Sequence, residues 1–98
     1  MPVQEGSDGK GAPGRPLIEY PLVYAFKVMG LATDGFAEHA QALVTRAAGT
    51  EAELGVTVRA SAGGKYHSVS VSLRLESEAQ RRAVYEALHA DARVVYYL

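Results

Sequence analysis

Residues 66–75, YHSVSVSLRL, decide the fold of this 98-residue chain. Val69, Val71 and Leu73 alternate with serines, and this period of two predicts a strand with one buried face and one face in water. Two glycines precede the strand within residues 62–65 and predict a hairpin connection. An antiparallel sheet is therefore expected around this strand.

The segments on either side of the hairpin supply three more strands. Residues 22–29 and residues 56–60 both alternate in the same way, and residues 93–98 read RVVYYL. We expect Gly30 to end the first strand and to let the chain turn. The two adjacent tyrosines of the last strand are expected on opposite faces of the sheet.

Two amphipathic segments predict helices. The first follows Asp34, which is expected to cap it, and ends at Gly49. The second begins with a capping box, in which Ser77 caps the helix and Gln80 reaches back. The expected buried stripes are Phe36, Ala40, Leu43, Val44 and Ala47 in the first helix, and Ala83, Val84, Ala87 and Leu88 in the second.

The order strand, helix, strand, strand, helix, strand predicts an α+β fold, the ferredoxin-like split βαβ sandwich. In this fold a four-stranded antiparallel sheet of order 4-1-3-2 carries both helices on one face. Residues 17–98 are expected to form this single domain. Residues 1–16 contain four glycines and three prolines, and we expect a disordered N-terminal tail there.

Composition narrows the function classes. The chain has no cysteine, which excludes disulfides, thiolate zinc sites and a thiol nucleophile. The charges of ten basic and eleven acidic residues nearly cancel, which argues against a dedicated nucleic-acid surface. With no signal peptide and no apolar stretch of spanning length, we expect a cytoplasmic protein without a membrane contact.

Two motifs carry a resemblance to a known family. FKVMG at residues 26–30 and SAGGKYHSVSV at residues 61–71 resemble the YbeD-like family of small bacterial proteins of unknown function, and the likeness extends over residues 17–98. The resemblance implies a fold similar to the ACT regulatory domains, which bind amino acids and other small effectors. It also implies a link to lipoate metabolism, because family genes often lie near lipoate-attachment genes. It supplies no catalytic residue.

The predicted topology brings three connections to one end of the sheet, which we call the rim. The loop after the first strand, the hairpin and the turn before the last strand should meet there. We expect a small anionic ligand or a partner protein to bind at this rim, near the N-terminus of the first helix. The candidate binding residues are Lys27, Gly30, Asp34, Lys65, Tyr66, His67 and Ser68.

Simpler explanations exist for the same residues. His67 is expected on the same strand face as the core valines, where it can close the end of the core by a hydrogen bond to a backbone carbonyl. The hairpin glycines can serve the turn alone, with Lys65 in solvent. His39 and His89 are expected in solvent, and three dispersed histidines do not indicate a metal site. The serines of residues 68–72 are typical of an exposed strand face, and none has a triad partner.

The open sheet face is the second candidate surface. It carries Lys27, Arg59 and Arg74 among hydroxyl side chains, and such a face is often a dimer interface or simply solvated. RNA binding stays a minor alternative, because Ala25 and two serines occupy the positions where related domains stack bases on aromatics.

We therefore expect a regulatory or ligand-sensing module without catalytic activity or cofactor. It would act as a homodimer or on a partner enzyme. The alternatives are an adaptor that binds proteins without a small ligand and, less strongly indicated, an RNA-binding module. The sequence predicts no catalytic residue and no metal site.

Overall fold

Four strands and two long helices alternate along the chain in a computed structural model that describes residues 18–50 and 53–98. The predicted tail, residues 1–16, lies outside the described residues. The elements are β1 (Leu22–Leu31), α1 (Phe36–Ala48), β2 (Glu53–Ala60), a short 3-10 turn (Ala62–Gly64), β3 (Tyr66–Leu75), α2 (Glu78–Ala90) and β4 (Val94–Tyr97).

The sheet is antiparallel and has the order β2-β3-β1-β4. The central pair is in register from Leu22 opposite Leu75 to Leu31 opposite Tyr66. This is the predicted 4-1-3-2 order, so the ferredoxin-like topology is confirmed. At the outer strand the pairing shifts between Met29 and Gly30, which leaves one extra residue in β4.

The core lies between the sheet and both helices, and alternation along β1 and β3 selects its members. The buried side chains are Phe26, Val28, Val69, Val71, Leu73 and Leu75 from the sheet, and Phe36, Ala40, Val44, Ala48, Val84 and Leu88 from the helices. The predicted strand faces and helix stripes are largely confirmed. Leu43 and Ala47 are partly buried at the margin, where Ala48 takes the fully buried position.

An aromatic cluster closes the core beneath α2. Phe26 packs with its ring centre 5.2 Å from that of Tyr85, and Tyr24 and Tyr85 share a hydroxyl hydrogen bond of 2.8 Å. Burial raises the pKa of Tyr85, and its bond to Tyr24 adds to the effect. Tyr97 also packs on Tyr85, while Tyr96 is exposed, so the two tyrosines of β4 do lie on opposite faces.

The residues before β1 are fixed to α2 by a charged cluster. The Tyr20 hydroxyl donates to Glu78 at 2.6 Å, and Arg81 donates two hydrogen bonds to the same carboxylate. These bonds, first from Arg81 and then from Tyr20, lower the pKa of Glu78 to about 2. The cluster therefore remains charged at neutral pH and holds the entry to β1 against the helix.

The start of α2 has the predicted cap. The Ser77 hydroxyl accepts a hydrogen bond from the backbone N–H of Gln80 at 3.3 Å. The Gln80 side chain accepts from the N–H of Glu76, one residue before the position that the capping box predicts, and donates to the carbonyl of Ala48 at 2.9 Å. One glutamine thus joins the start of α2 to the end of α1.

Ser77→Ala should lower the free energy of unfolding by about 1 kcal/mol, because the N–H of Gln80 loses its acceptor. Urea denaturation measures this change. Ser72→Ala, on the open face of β3, is the matched control and should leave the stability nearly unchanged. Equal effects of the two substitutions would show that the cap does not stabilise α2.

Candidate functional site

The three connections predicted to meet at the rim do meet. The backbone N–H of Ala32 donates to the carbonyl of Lys65 at 2.9 Å, which joins the loop after β1 to the hairpin. On the other side, the Arg93 guanidinium donates to the carbonyls of Thr33 at 2.6 Å and Asp34 at 3.2 Å. The loop is therefore fastened to both neighbouring connections.

Arg93 is a rim residue that the sequence reasoning missed. Its guanidinium also lies 5.7 Å from the centre of the Phe36 ring, in a cation–π contact. The turn that carries it is organised by Asp91, whose carboxylate accepts from the N–H of Arg93 at 2.9 Å and pairs with His39 at 2.9 Å. The available signal was a basic residue next to the last strand at the predicted rim.

The pair of His39 and Asp91 corrects the expectation that His39 lies in solvent. The His39 side chain is 31% exposed and bridges α1 to the turn before β4. Burial acts to raise the pKa of Asp91, but the hydrogen bonds from His39 and from the N–H of Arg93 outweigh it, and the net shift is downward. The pair serves the packing of the rim.

Gly30 does not turn the chain, so that prediction is wrong. It is a buried residue within β1, and the strand continues to Leu31. A Cβ atom at this position would collide with the ring of Phe36 and would lie 2.6 Å from the carbonyl oxygen of Arg93. Glycine is needed here because α1 and the turn before β4 approach the strand too closely for any side chain.

Asp34 does not cap α1, so that prediction is also wrong. The cap position is taken by Gly35, and both residues have left-handed backbone angles, with φ of 51° and 65°. Because both residues have left-handed angles, the helix begins one residue later than the sequence pattern indicates. The helix therefore begins without a side-chain cap, and Asp34 stays exposed.

His67 lies opposite Gly30 on the helix side of the sheet and is half-buried, as its parity predicts. It lines a shallow cavity of about 260 Å³ together with the loop after β1 and the first turn of α1. Asp34 and Glu38 line the same cavity. Two carboxylates beside a helix N-terminus oppose the binding of a further anion.

The two lysines expected at the rim are separated. Lys65 is exposed, with its ammonium group 5.5 Å from the centre of the Tyr66 ring. Lys27 lies opposite Ser70 in the register of β1 and β3. Ser70 is five residues after Lys65, so Lys27 lies about 16 Å from the hairpin. The rim thus holds Gly30, Asp34, Lys65, Tyr66 and His67, whereas Lys27 and Ser68 belong to the open face of the sheet.

Lys27 and Ser68 line a groove on this open face, which we call the open-face groove. Its volume is about 450 Å³, and it is lined by Lys27, Thr57, Val58, Arg59, Ser68 and Ser70. The register explains the grouping, since Ser70 lies between Lys27 and Thr57 across three strands. Arg59 occupies the next row, opposite Ser68. The two serines therefore lie on the strand between the two cations, and Thr57 lies beside Arg59 on β2.

The groove holds two cations, Lys27 and Arg59, that no described side chain neutralises. Among the side chains of residues 18–50 and 54–98, neither Lys27 nor Arg59 has an ion-pair or hydrogen-bond partner. The sequences of β1, β3 and β4 contain no Asp or Glu, and neither do residues 54–60 of β2. Arg74, on the same face, is already paired with Glu76 at 2.9 Å. The two free cations can therefore attract a carboxylate or a phosphate.

The other half of the open face is apolar. Its large side chains lie on β1 and β4 and are between 45% and 62% exposed, and we call the group the apolar strip: Val23, Leu31, Val95, Tyr96 and Leu98. Each row across the sheet shows the division. One row runs from Leu98 through Lys27 to Ser70, and the next from Tyr96 through Met29 to Ser68.

No helix in the described part of the chain is long and apolar enough to cross a membrane. In the same residues, no three His, Asp or Glu side chains are grouped closely enough to hold a metal ion.

Comparisons with known proteins agree on the family. Residues 15–98 match the family described as Protein of unknown function (DUF493). A UPF0250 protein of Ralstonia nicotianae is 38% identical over 93 residues, covering 90% of this chain and 95% of its own. A UPF0250 protein of Idiomarina loihiensis is 34% identical over 83 residues, covering 84% and 91%. The resemblance of residues 26–30 and 61–71 to the YbeD-like family is confirmed by these matches.

A solved structure confirms the fold independently. The solution structure of protein HP0495 from H. pylori superposes with a TM-score of 0.71 over 95% of this chain and 98% of that one. The two sequences are 18% identical, so the likeness concerns the fold alone. It supports the ferredoxin-like arrangement of strands and helices described above.

Proposed function

This chain belongs to the DUF493 family of proteins of unknown function, and we propose that it is a non-enzymatic regulatory module that binds an anionic group in the open-face groove. The ferredoxin-like fold is compatible with a small regulatory module. The anionic group would belong to a small ligand or to a partner protein in the cytoplasm. Binding of this group would regulate a partner protein, in the way that small effectors act through similar regulatory domains.

The unpaired cations of the groove carry this proposal. Lys27 and Arg59 lie on strands two positions apart in the sheet, so their backbones are separated by about 10 Å. Both long side chains can reach a ligand above the central strand, where Ser68 and Ser70 add hydroxyl donors. Two charges and several hydroxyls suit a carboxylate or a phosphate, since charge-assisted hydrogen bonds are the strong ones.

The groove is equipped for binding rather than for chemistry. A serine nucleophile needs a neighbouring base that is itself oriented by a third group. The described groove residues include no histidine and no carboxylate, and His67 lies on the opposite side of the sheet. These features support a module without catalytic activity.

A thermal-shift panel tests the proposal, because a ligand that binds the native state raises the melting temperature. The panel contains inorganic phosphate, pyrophosphate, amino acids, lipoate and nucleotides at constant ionic strength. We expect at least one anion to stabilise the protein. Lys27→Ala and Arg59→Ala should each weaken its binding about tenfold, because each removes a charged hydrogen-bond donor.

Two variants serve as controls for this panel. Arg74→Ala removes a cation on the same face that Glu76 already neutralises, and Lys65→Ala removes one at the rim. Both should bind the anion as the wild type does. If Lys65→Ala abolishes binding while the groove variants do not, the site is at the rim and the groove proposal is wrong.

A further inference from the structure

The open face presents two adjoining surfaces of different chemistry, the apolar strip and the open-face groove. The strip follows β1 and β4, and the groove lies over β3 and β2, so the division runs lengthwise along the sheet. Lys27 stands on the boundary between the two, opposite Leu98 on one side and Ser70 on the other. A ligand that filled the groove alone would leave the strip in water.

We propose that this face docks an amphipathic helix of a partner protein, with its apolar side on the strip and its acidic residues over the groove. The inference rests on the proposed function and names the source of the anionic group. It identifies that group as carboxylates of a protein segment rather than as a small free anion. The dimensions, the apolar surface and the charge of the face all favour this occupant.

The dimensions of the face fit one helix. A helix with its side chains is about 10 Å wide, and neighbouring strands are about 4.8 Å apart, so a helix covers about two strands. Placed over β1 and β4, it contacts the apolar strip along its length. Acidic side chains on its flank then reach Lys27 directly and Arg59 across the central strand.

An apolar hollow at the rim end of the strip offers an anchor. It has a volume of about 230 Å³ and is formed by Leu31, Thr33, Ala92, Arg93 and Val95. Val95 is the extra residue at the irregularity of the β1–β4 pairing, where Val94 lies opposite Gly30 and Tyr96 opposite Met29. A Leu or Phe side chain of the helix can fill this hollow, and such filled pockets carry most of the binding energy of an interface.

Charge decides between a partner and a second copy of this chain. β1, β3, β4 and residues 54–60 of β2 contain no Asp or Glu, so pairing two open faces would bring Lys27 and Arg59 of one copy close to those of the other. Like charges across an interface are unfavourable, whereas an acidic and apolar partner satisfies both halves of the face at once. The expected occupant is therefore a helix with apolar residues at helical spacing and Asp or Glu along one edge.

Selection from a displayed library of amphipathic helical peptides, with the full chain as bait, tests this inference. Enriched peptides should combine an apolar stripe with acidic residues on one flank. Their affinity, measured by fluorescence anisotropy, should fall at least tenfold for Tyr96→Ser and for Lys27→Glu. Leu54→Ser, also an exposed apolar position in the sheet but outside both the strip and the groove, should bind as the wild type does. Circular dichroism confirms that every variant is folded.

Each alternative outcome has a clear meaning. The inference is wrong if no peptide is enriched, if enriched peptides are basic, or if Tyr96→Ser binds them unchanged. It is also wrong if sedimentation shows a dimer of the chain that Tyr96→Ser dissociates. Binding of pyrophosphate distinguishes a failure of the helix-docking inference from a failure of the proposed function. If pyrophosphate still binds in the groove, the proposed function survives without the helix; if nothing binds there, both fail.

Discussion

Gly30→Val is expected to destabilise the domain by about 3 kcal/mol, because overpacking of a filled core forces backbone and side chains apart. Gly30 is buried beneath the start of α1, and a single Cβ atom would already collide with the Phe36 ring. The ring is itself buried in the core, and the carbonyl of Arg93 blocks the other direction. Valine adds two further carbons to this contact.

Gly55→Val is the matched control for Gly30→Val. Gly55 lies in the edge strand β2, has no atom within 4 Å of its ideal Cβ position and is exposed. Valine there should change the stability by less than about 0.5 kcal/mol, as surface substitutions usually do. Urea denaturation of both variants measures the difference. If the two cost the same, the close approach at Gly30 does not constrain the fold.

Phe26→Ala should lower the free energy of unfolding by about 3–5 kcal/mol, because it removes a buried ring and leaves a cavity. Phe26 is fully buried and packs between Tyr24 and Tyr85, with ring centres 4.8 and 5.2 Å away. A small domain has a modest total stability, so this loss should unfold a large fraction of the protein. Thermal denaturation followed by circular dichroism measures the change.

Val23→Ala, on the same strand but with its side chain 62% exposed, is the control for Phe26→Ala. It should cost less than about 0.5 kcal/mol, since little buried area is lost. A similar cost for both substitutions would contradict the assignment of faces along β1.

The sheet could be predicted from sequence because alternation is a direct readout of which face is buried. Residues 66–75 form β3 with the predicted bounds, and the serines of this strand face away from the helices. The helix stripes and the cap by Ser77 follow from equally local rules. Such patterns depend on neighbours within about four residues, which a single sequence displays.

Contacts between distant segments could not be predicted in this way. Glycine occurs both in turns and where two backbone segments lie close together. Only the positions of Phe36 and Arg93 show that Gly30 is of the second kind. Asp34 precedes an apolar stripe as a cap would, but the left-handed angles of Asp34 and Gly35 move the cap by one residue. Both errors arise where the loop after β1 meets the rest of the rim.

The candidate site shows the same limit. Parity placed Lys27, Arg59 and Arg74 on the open face, and the structure agrees. Register could not be predicted to the residue, so the sequence places Lys27 at the rim near residues 66–68, whereas the structure places it opposite Ser70. Ion pairing could not be predicted either, and it distinguishes Arg74, which is neutralised by Glu76, from the unpaired cations of the groove.

The measurement that tests the central claim most directly is a titration of the isotope-labelled protein with pyrophosphate at constant ionic strength, followed by amide chemical shifts. We predict that the largest shifts occur at Lys27, Arg59, Ser68 and Ser70, the residues of the open-face groove. Arg59→Ala should remove them without unfolding the protein. Shifts centred on the loop after β1 and on His67, with a silent groove, would contradict the claim, as would a titration in which no amide responds.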